Sequence, residues 1–190
     1  MLRKEIEHLW EQVENIDGQA GYRQTLAQID GLIAEGRQQV ANKTLMAELY
    51  YMKGYWIYQE SEDYLKATVF FYKSLAYKPN YFWPKLYLGH TLFDTAISSL
   101  SSEGRTVQEL AEDATIKLLE AQFLFNSCLN QQQFIKTIGQ EWRITKLYEL
   151  QASIFLYLSD FALFQSFFLK YKQSVSGIED SVDIPLPTEL

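Results

Sequence analysis

The residues that could act as nucleophiles, general bases or metal ligands are few in this chain of 190 residues. It contains two histidines, His8 and His90, and one cysteine, Cys128. His90 and Asp94 are four residues apart, so on a helix they would share a face and could hold a metal ion or move a proton. Cys128 has neither a nearby histidine nor a second cysteine at CxxC spacing, which favours a buried thiol over a nucleophile.

Other catalytic patterns are missing from the sequence. Glu112 and Asp113 are adjacent, so on a helix they diverge, as is typical of a solvated face rather than an acid–base pair. No GxxxxGK phosphate-binding loop occurs. An enzyme centred on His90 is therefore the remote alternative, and we expect no catalytic residue, no metal and no cofactor.

The elements that must position these side chains are helices. Long proline-free stretches repeat apolar residues at 3.6-residue spacing, which predicts an all-α protein. Pro84 fits the first turn of a helix, where its missing N–H has no intrahelical partner. The pattern predicts about eight helices, at approximately 2–16, 22–36, 42–59, 61–78, 81–97, 106–128, within 131–158, and 160–174.

One helix pair, from Ala47 to Pro79, carries a repeat pattern. Small residues stand where two antiparallel helices must cross closely, and proline ends the second helix. The positions are Gly54, Tyr64, Ala67, Phe71, Ser74 and Pro79. This pattern resembles the tetratricopeptide repeat, with two departures: Lys53 where leucine is usual, and one extra residue in the turn at 59–63.

Weaker copies of the pattern follow along the chain. They comprise Leu88, Gly89 and Leu92 with Ala114, Leu118 and Ala121, then Tyr148, Ala152 and Phe155 with Phe161, Phe164 and Phe168. The resemblance implies antiparallel helix pairs stacked as a right-handed α-solenoid. We expect one such domain over residues 1–174, with the best repeat at 47–79, and an acidic, flexible tail over 175–190.

The resemblance also implies a binding surface, because first helices of such repeats line a concave groove that holds a peptide or a partner helix. Carried over by register, the groove residues are Tyr51, Tyr55, Tyr58, Trp83, Leu86, His90, Phe93 and Asp94. Tyrosine and tryptophan suit binding surfaces because they offer large contact areas with a polar tip. The alternative is that these side chains pack as core beneath neighbouring helices.

Composition restricts the function classes further. The net charge is −7, and four of the acidic residues, at 179, 180, 183 and 189, leave −3 for the rest of the chain. An acidic chain is a poor nucleic-acid binder, since phosphate contacts need clustered lysine and arginine. No apolar stretch is long enough to insert into a membrane, and a single cysteine favours the reducing cytoplasm.

These observations predict a non-enzymatic interaction module. We expect a cytoplasmic adaptor or chaperone-like protein that binds an apolar or helical segment of another protein in the aromatic groove. The alternative is a structural or assembly subunit whose aromatic surfaces are buried by oligomerisation, so a homo-oligomer is possible.

Overall fold

The computed structural model describes residues 2–13, 18–38, 42–61, 63–100 and 107–176. Within these ranges the chain forms nine helices and no strand, and neighbouring helices pack against each other, which confirms the all-α fold class. The helices are α1 (Leu2–Val13), α2 (Gly18–Gln38), α3 (Lys43–Ser61), α4 (Tyr64–Tyr77), α5 (Phe82–Leu100), α6 (Val107–Leu129), α7 (Gln132–Thr137), α8 (Trp142–Tyr157) and α9 (Phe161–Ser176).

The range 131–158, within which a seventh helix was expected, contains two helices. The structure divides it into the short helix α7 and the longer helix α8. Gly139, in the connection between them, has a φ of 65°, a left-handed conformation that glycine adopts without steric cost. The helical hydrophobic period continues across this break, so it gave no signal of the interruption.

Contacts divide the chain into two compact units, residues 1–128 and 129–190. The single domain expected over 1–174 therefore stays a prediction. The expected tail at 175–190 lies outside the described residues, apart from the end of α9.

In the first unit, α1 and α2 pack on α3 and bury a shared apolar cluster. Its members are Ile6, Leu9, Ile29, Ile33, Met46, Leu49, Tyr50, Met52 and Trp56. The α4 helix packs on another side of α3. Because α3 is covered from both sides, its buried residues extend around most of its circumference.

The α3–α4 pair crosses at a glycine. A Cβ atom added to Gly54 would lie 2.8 Å from Cε1 of Phe71, so only glycine fits against this ring without a shift. One turn further along α4, the Ser74 hydroxyl donates a hydrogen bond of 2.5 Å to the Ala47 carbonyl. Asp63 begins α4 as its N-cap, accepting from the Lys66 backbone N–H.

The α5–α6 pair repeats this crossing. A Cβ atom on Gly89 would lie 2.5 Å from Cε1 of Phe125. The Cys128 thiol lies 4.0 Å from the Phe82 carbonyl, in the place that Ser74 and Ala47 occupy in the first pair. Equivalent contacts thus recur at a fixed register, although a longer connection separates the helices of the second pair.

The second unit contains α7, α8 and α9. Leu147, Leu150 and Ile154 are buried on α8, and Phe155 stacks on Phe167 of α9 with ring centroids 5.4 Å apart. Ser159, with a φ of 57°, turns the chain between the two helices. No residue of α9 is fully buried, so this helix covers α8 with half-exposed aromatic side chains.

None of the helices that the structure describes has the length and apolarity that a membrane crossing requires.

Candidate functional site

Two of the eight predicted groove residues lie in the interior. Tyr51 is 6% exposed and Leu86 is 2% exposed. The Tyr51 ring contacts Trp10 of α1 and Phe71 of α4, with centroids 5.8 and 6.4 Å away. For these two positions the structure therefore shows core packing.

The tyrosines on the next turns of α3 are half-buried in an aromatic cluster around Tyr87 of α5. Tyr55 meets this ring edge-on at 5.0 Å, and Tyr58 meets it at 5.7 Å. The Trp10 ring of α1 also contacts Tyr55, with ring centroids 5.9 Å apart. Tyr87 was missed in the sequence because its neighbours Leu86 and Leu88 fit the repeat register better.

Tyr58 also links the two first helices through a polar contact. Its hydroxyl donates a hydrogen bond of 3.2 Å to the Asp94 carboxylate. Partial burial, together with the adjacent Asp94 charge, raises the pKa of Tyr58 well above its ordinary value of 10. The hydroxyl is therefore a neutral donor at physiological pH, and α3 and α5 are held side by side.

The remaining predicted residues are half-buried along α5. Trp83 packs edge-on against Phe82 at 5.1 Å, and His90 packs edge-on against Phe125 at 5.4 Å. Phe93 is also half-buried. The structure thus places Tyr55, Tyr58, Trp83, His90, Phe93 and Asp94 at least partly at the surface.

His90 and Cys128 are the two positions that the sequence analysis considered for chemistry. Among the described residues no three histidine, cysteine or acidic side chains are grouped so that they could hold a metal ion, at His90 or elsewhere. The Cys128 thiol is fully buried, and burial raises its pKa to about 12, so at neutral pH it is protonated.

In the second unit, exposed large apolar side chains occur at Phe134, Trp142, Tyr157, Phe161, Leu163 and Leu169. Six more lie on α4 and α6 of the first unit, where the groove prediction did not place them. We call the set the second-helix surface: Leu65, Val69 and Tyr72 on α4, with Ile116, Leu119 and Phe123 on α6. They are between 42% and 71% exposed.

The two stripes of this surface are joined by a hydrogen bond from the Tyr72 hydroxyl to the Glu120 carboxylate. Each stripe recurs at helical spacing on the side of its helix away from the crossing residues. The helical spacing of these exposed apolar residues is visible in the sequence. The repeat pattern, however, is defined by the residues on the opposite side of each helix, where the helices cross.

No family model, curated protein or solved structure matches this chain.

Proposed function

We propose that this chain is a non-enzymatic, cytoplasmic protein-binding module that holds the apolar face of a helix from a partner protein. The observation that carries the proposal is the second-helix surface. Contiguous exposed apolar side chains are uncommon on monomeric proteins and typically mark interaction sites. Two neighbouring stripes with helical spacing suit an apolar helix face as the ligand.

The aromatic face of α3 and α5 is the second candidate contact. The side chains that remain partly accessible there are Tyr55, Tyr58, Trp83, His90, Phe93 and Asp94. Their mutual packing leaves less apolar area for a partner than the second-helix surface does. Tyr51 and Leu86 are left out, because they are already buried by this chain.

Paired variants test which surface binds. Leu65→Gln with Phe123→Gln removes two exposed anchors, and exposed substitutions of this kind change stability by roughly 0.5 kcal/mol or less each. We expect the purified partner, first identified by affinity capture, to bind this variant at least about 100-fold more weakly in calorimetry, since buried aromatic and aliphatic anchors dominate such interfaces.

Tyr55→Ala with Trp83→Ala is the matched control pair on the aromatic face. A loss of affinity in this pair alone would move the contact to α3 and α5 and overturn the second-helix surface as the site. The proposal fails if neither pair of substitutions weakens binding of the partner. It also fails if affinity capture with wild type yields no protein that is absent from capture with the Leu65→Gln, Phe123→Gln variant.

Self-association is the competing explanation of the same surface. Sedimentation velocity over a range of protein concentrations separates the two. A dimer that forms with wild type but not with the Leu65→Gln, Phe123→Gln variant would replace the partner helix by a second copy of this chain.

A further inference from the structure

A cationic cleft lies between α2, α3 and α4, and none of its lining residues belongs to the second-helix surface. It has a volume of about 270 Å³. Three cationic side chains line it, Arg37, Lys53 and Lys73, with Asp30 as the one carboxylate among its lining residues. In a chain whose net charge is −7, this cleft therefore concentrates two uncompensated positive charges.

Lys53 is the most buried of these cations. Its residue is only 9% exposed, and its ammonium group pairs with Asp30, whose side chain is 56% exposed. Burying a charge is costly unless it is well paired, and a largely solvated carboxylate offsets only part of that cost. The ammonium also lies 4.6 Å from the centroid of the Phe70 ring.

The other two cations are held at the same cleft by aromatic side chains. Lys73 shares the Phe70 ring with Lys53, its ammonium lying 5.0 Å from the centroid. Arg37 donates two hydrogen bonds, of 2.6 and 3.1 Å, to the Tyr50 hydroxyl. These contacts hold the positive charges close together without neutralising them, so the side chains are oriented while their charge stays available.

The second helix pair shows that this arrangement is not required by the fold. Counting from the two crossing glycines, the residue equivalent to Lys53 is Leu88, which is fully buried. The equivalent of Lys73, counted from the two crossing phenylalanines, is Ser127. An apolar side chain thus fills the Lys53 position in the same architecture, so the lysine adds a charge that packing does not need.

We propose that this cationic cleft binds a phosphate monoester. A phosphate monoester carries a charge of about −1.5 to −2 near neutral pH, which matches the excess charge of the cleft. The Arg37 guanidinium gives two of its five N–H donors to Tyr50, and the remaining donors suit phosphate oxygens, while the two lysines add point charges. The small volume fits the phosphoryl group with a short substituent, and the site does not depend on the proposed partner surface.

Calorimetry with phenyl phosphate, inorganic phosphate and N-acetyl-O-phosphoserine amide tests the site on the full chain. We expect saturable binding of at least one of the two monoesters, phenyl phosphate or the phosphoserine probe, at pH 7.5, weakening several-fold at pH 5.5 as the phosphate loses its second charge. Preference for the phosphoserine probe indicates a phosphorylated side chain as the source, and preference for either of the others indicates a small molecule.

Three variants connect that binding to the cleft. Lys73→Gln, whose side chain is exposed and not needed for packing, should weaken binding at least tenfold. Lys53→Leu installs the residue of the second pair and should abolish binding while raising Tm. Lys85→Gln, which removes a lysine bonded to Ser127 in the second pair, should leave affinity unchanged.

Three results would overturn the proposal: no saturable binding of either monoester probe, equal binding of succinate, or wild-type affinity in both Lys73→Gln and Lys53→Leu. If Lys53→Leu fails to fold, Lys73→Gln alone decides, because its side chain lies at the surface.

Discussion

The two helix pairs, α3–α4 and α5–α6, share the same glycine–phenylalanine crossing but differ in the side chains beside it. In each pair a glycine of the first helix admits the edge of a buried phenylalanine from the second, Phe71 against Gly54 and Phe125 against Gly89. The side chains next to the crossing then diverge. The first pair places Lys53 beside its glycine, and the second places Leu88.

This difference separates what packing requires from what it allows. The glycine and phenylalanine positions meet at distances where one extra carbon would collide, so both pairs must satisfy the same steric condition. The neighbouring position tolerates either an apolar side chain or a paired cation. Positions at which the two pairs differ are therefore not fixed by the crossing and are free to carry function.

The largest expected effect breaks the shared crossing. Gly54→Ala and Gly89→Ala should each lower the free energy of unfolding by up to about 2 kcal/mol, because overpacking costs roughly 1–3 kcal/mol and helix propensity returns about 1 kcal/mol. Gly89→Ala should lose more, since its added carbon would lie 2.5 Å from the ring rather than 2.8 Å. Urea denaturation measures both.

Gly31→Ala on α2 is the control for that comparison. Nothing lies within 4 Å of a Cβ at this position, so the variant should gain about 0.5–1 kcal/mol from helix propensity. Stabilisation of all three alanine variants would show that the two phenylalanine rings move aside at no cost.

A smaller effect tests the polar contact beside each crossing. Ser74→Cys should lose about 1 kcal/mol, since a thiol is a weak donor and the short bond to the Ala47 carbonyl is buried. Cys128→Ser should also lose about 1 kcal/mol, because its hydroxyl cannot reach the Phe82 carbonyl, 4.0 Å from the present sulfur. Thermal unfolding measures the stability of both variants. An unchanged Tm in either variant would show that the side chain at that position is not matched to its carbonyl partner.

The smallest expected effect concerns the hydrogen bond between Tyr58 of α3 and Asp94 of α5. Since the pKa of Tyr58 is raised above 10 in the folded state, the folded chain keeps this proton longer than the unfolded chain. Its contribution to stability is present below pH 10 and is lost as pH rises beyond 10. Tyr58→Phe should therefore make the loss of stability between pH 9.5 and 11.5 less steep.

Wild type is the reference for this variant. Urea midpoints measured across that pH range should fall less steeply in Tyr58→Phe than in wild type. Equal slopes for Tyr58→Phe and wild type would show that the bond to Asp94 has no influence on alkaline stability.

The sequence by itself determined the helical class and the crossing residues of the first pair. Apolar spacing at 3.6 residues indicates helices in any context, and Gly54, Phe71 and Ser74 stand at the spacing that close antiparallel helices need. The break at Gly139 was not predicted, because one glycine in a continuing apolar pattern does not reveal its φ.

Only the tertiary structure decided which aromatic and charged side chains reach the surface. Tyr51 and Tyr58 lie on one face of α3, yet Trp10 and Phe71 enclose the first while the second reaches Asp94. Accessibility depends on which distant helix covers each turn, and a one-dimensional period carries no such information. The gathering of Arg37, Lys53 and Lys73 has the same cause, since three separate helices supply its members.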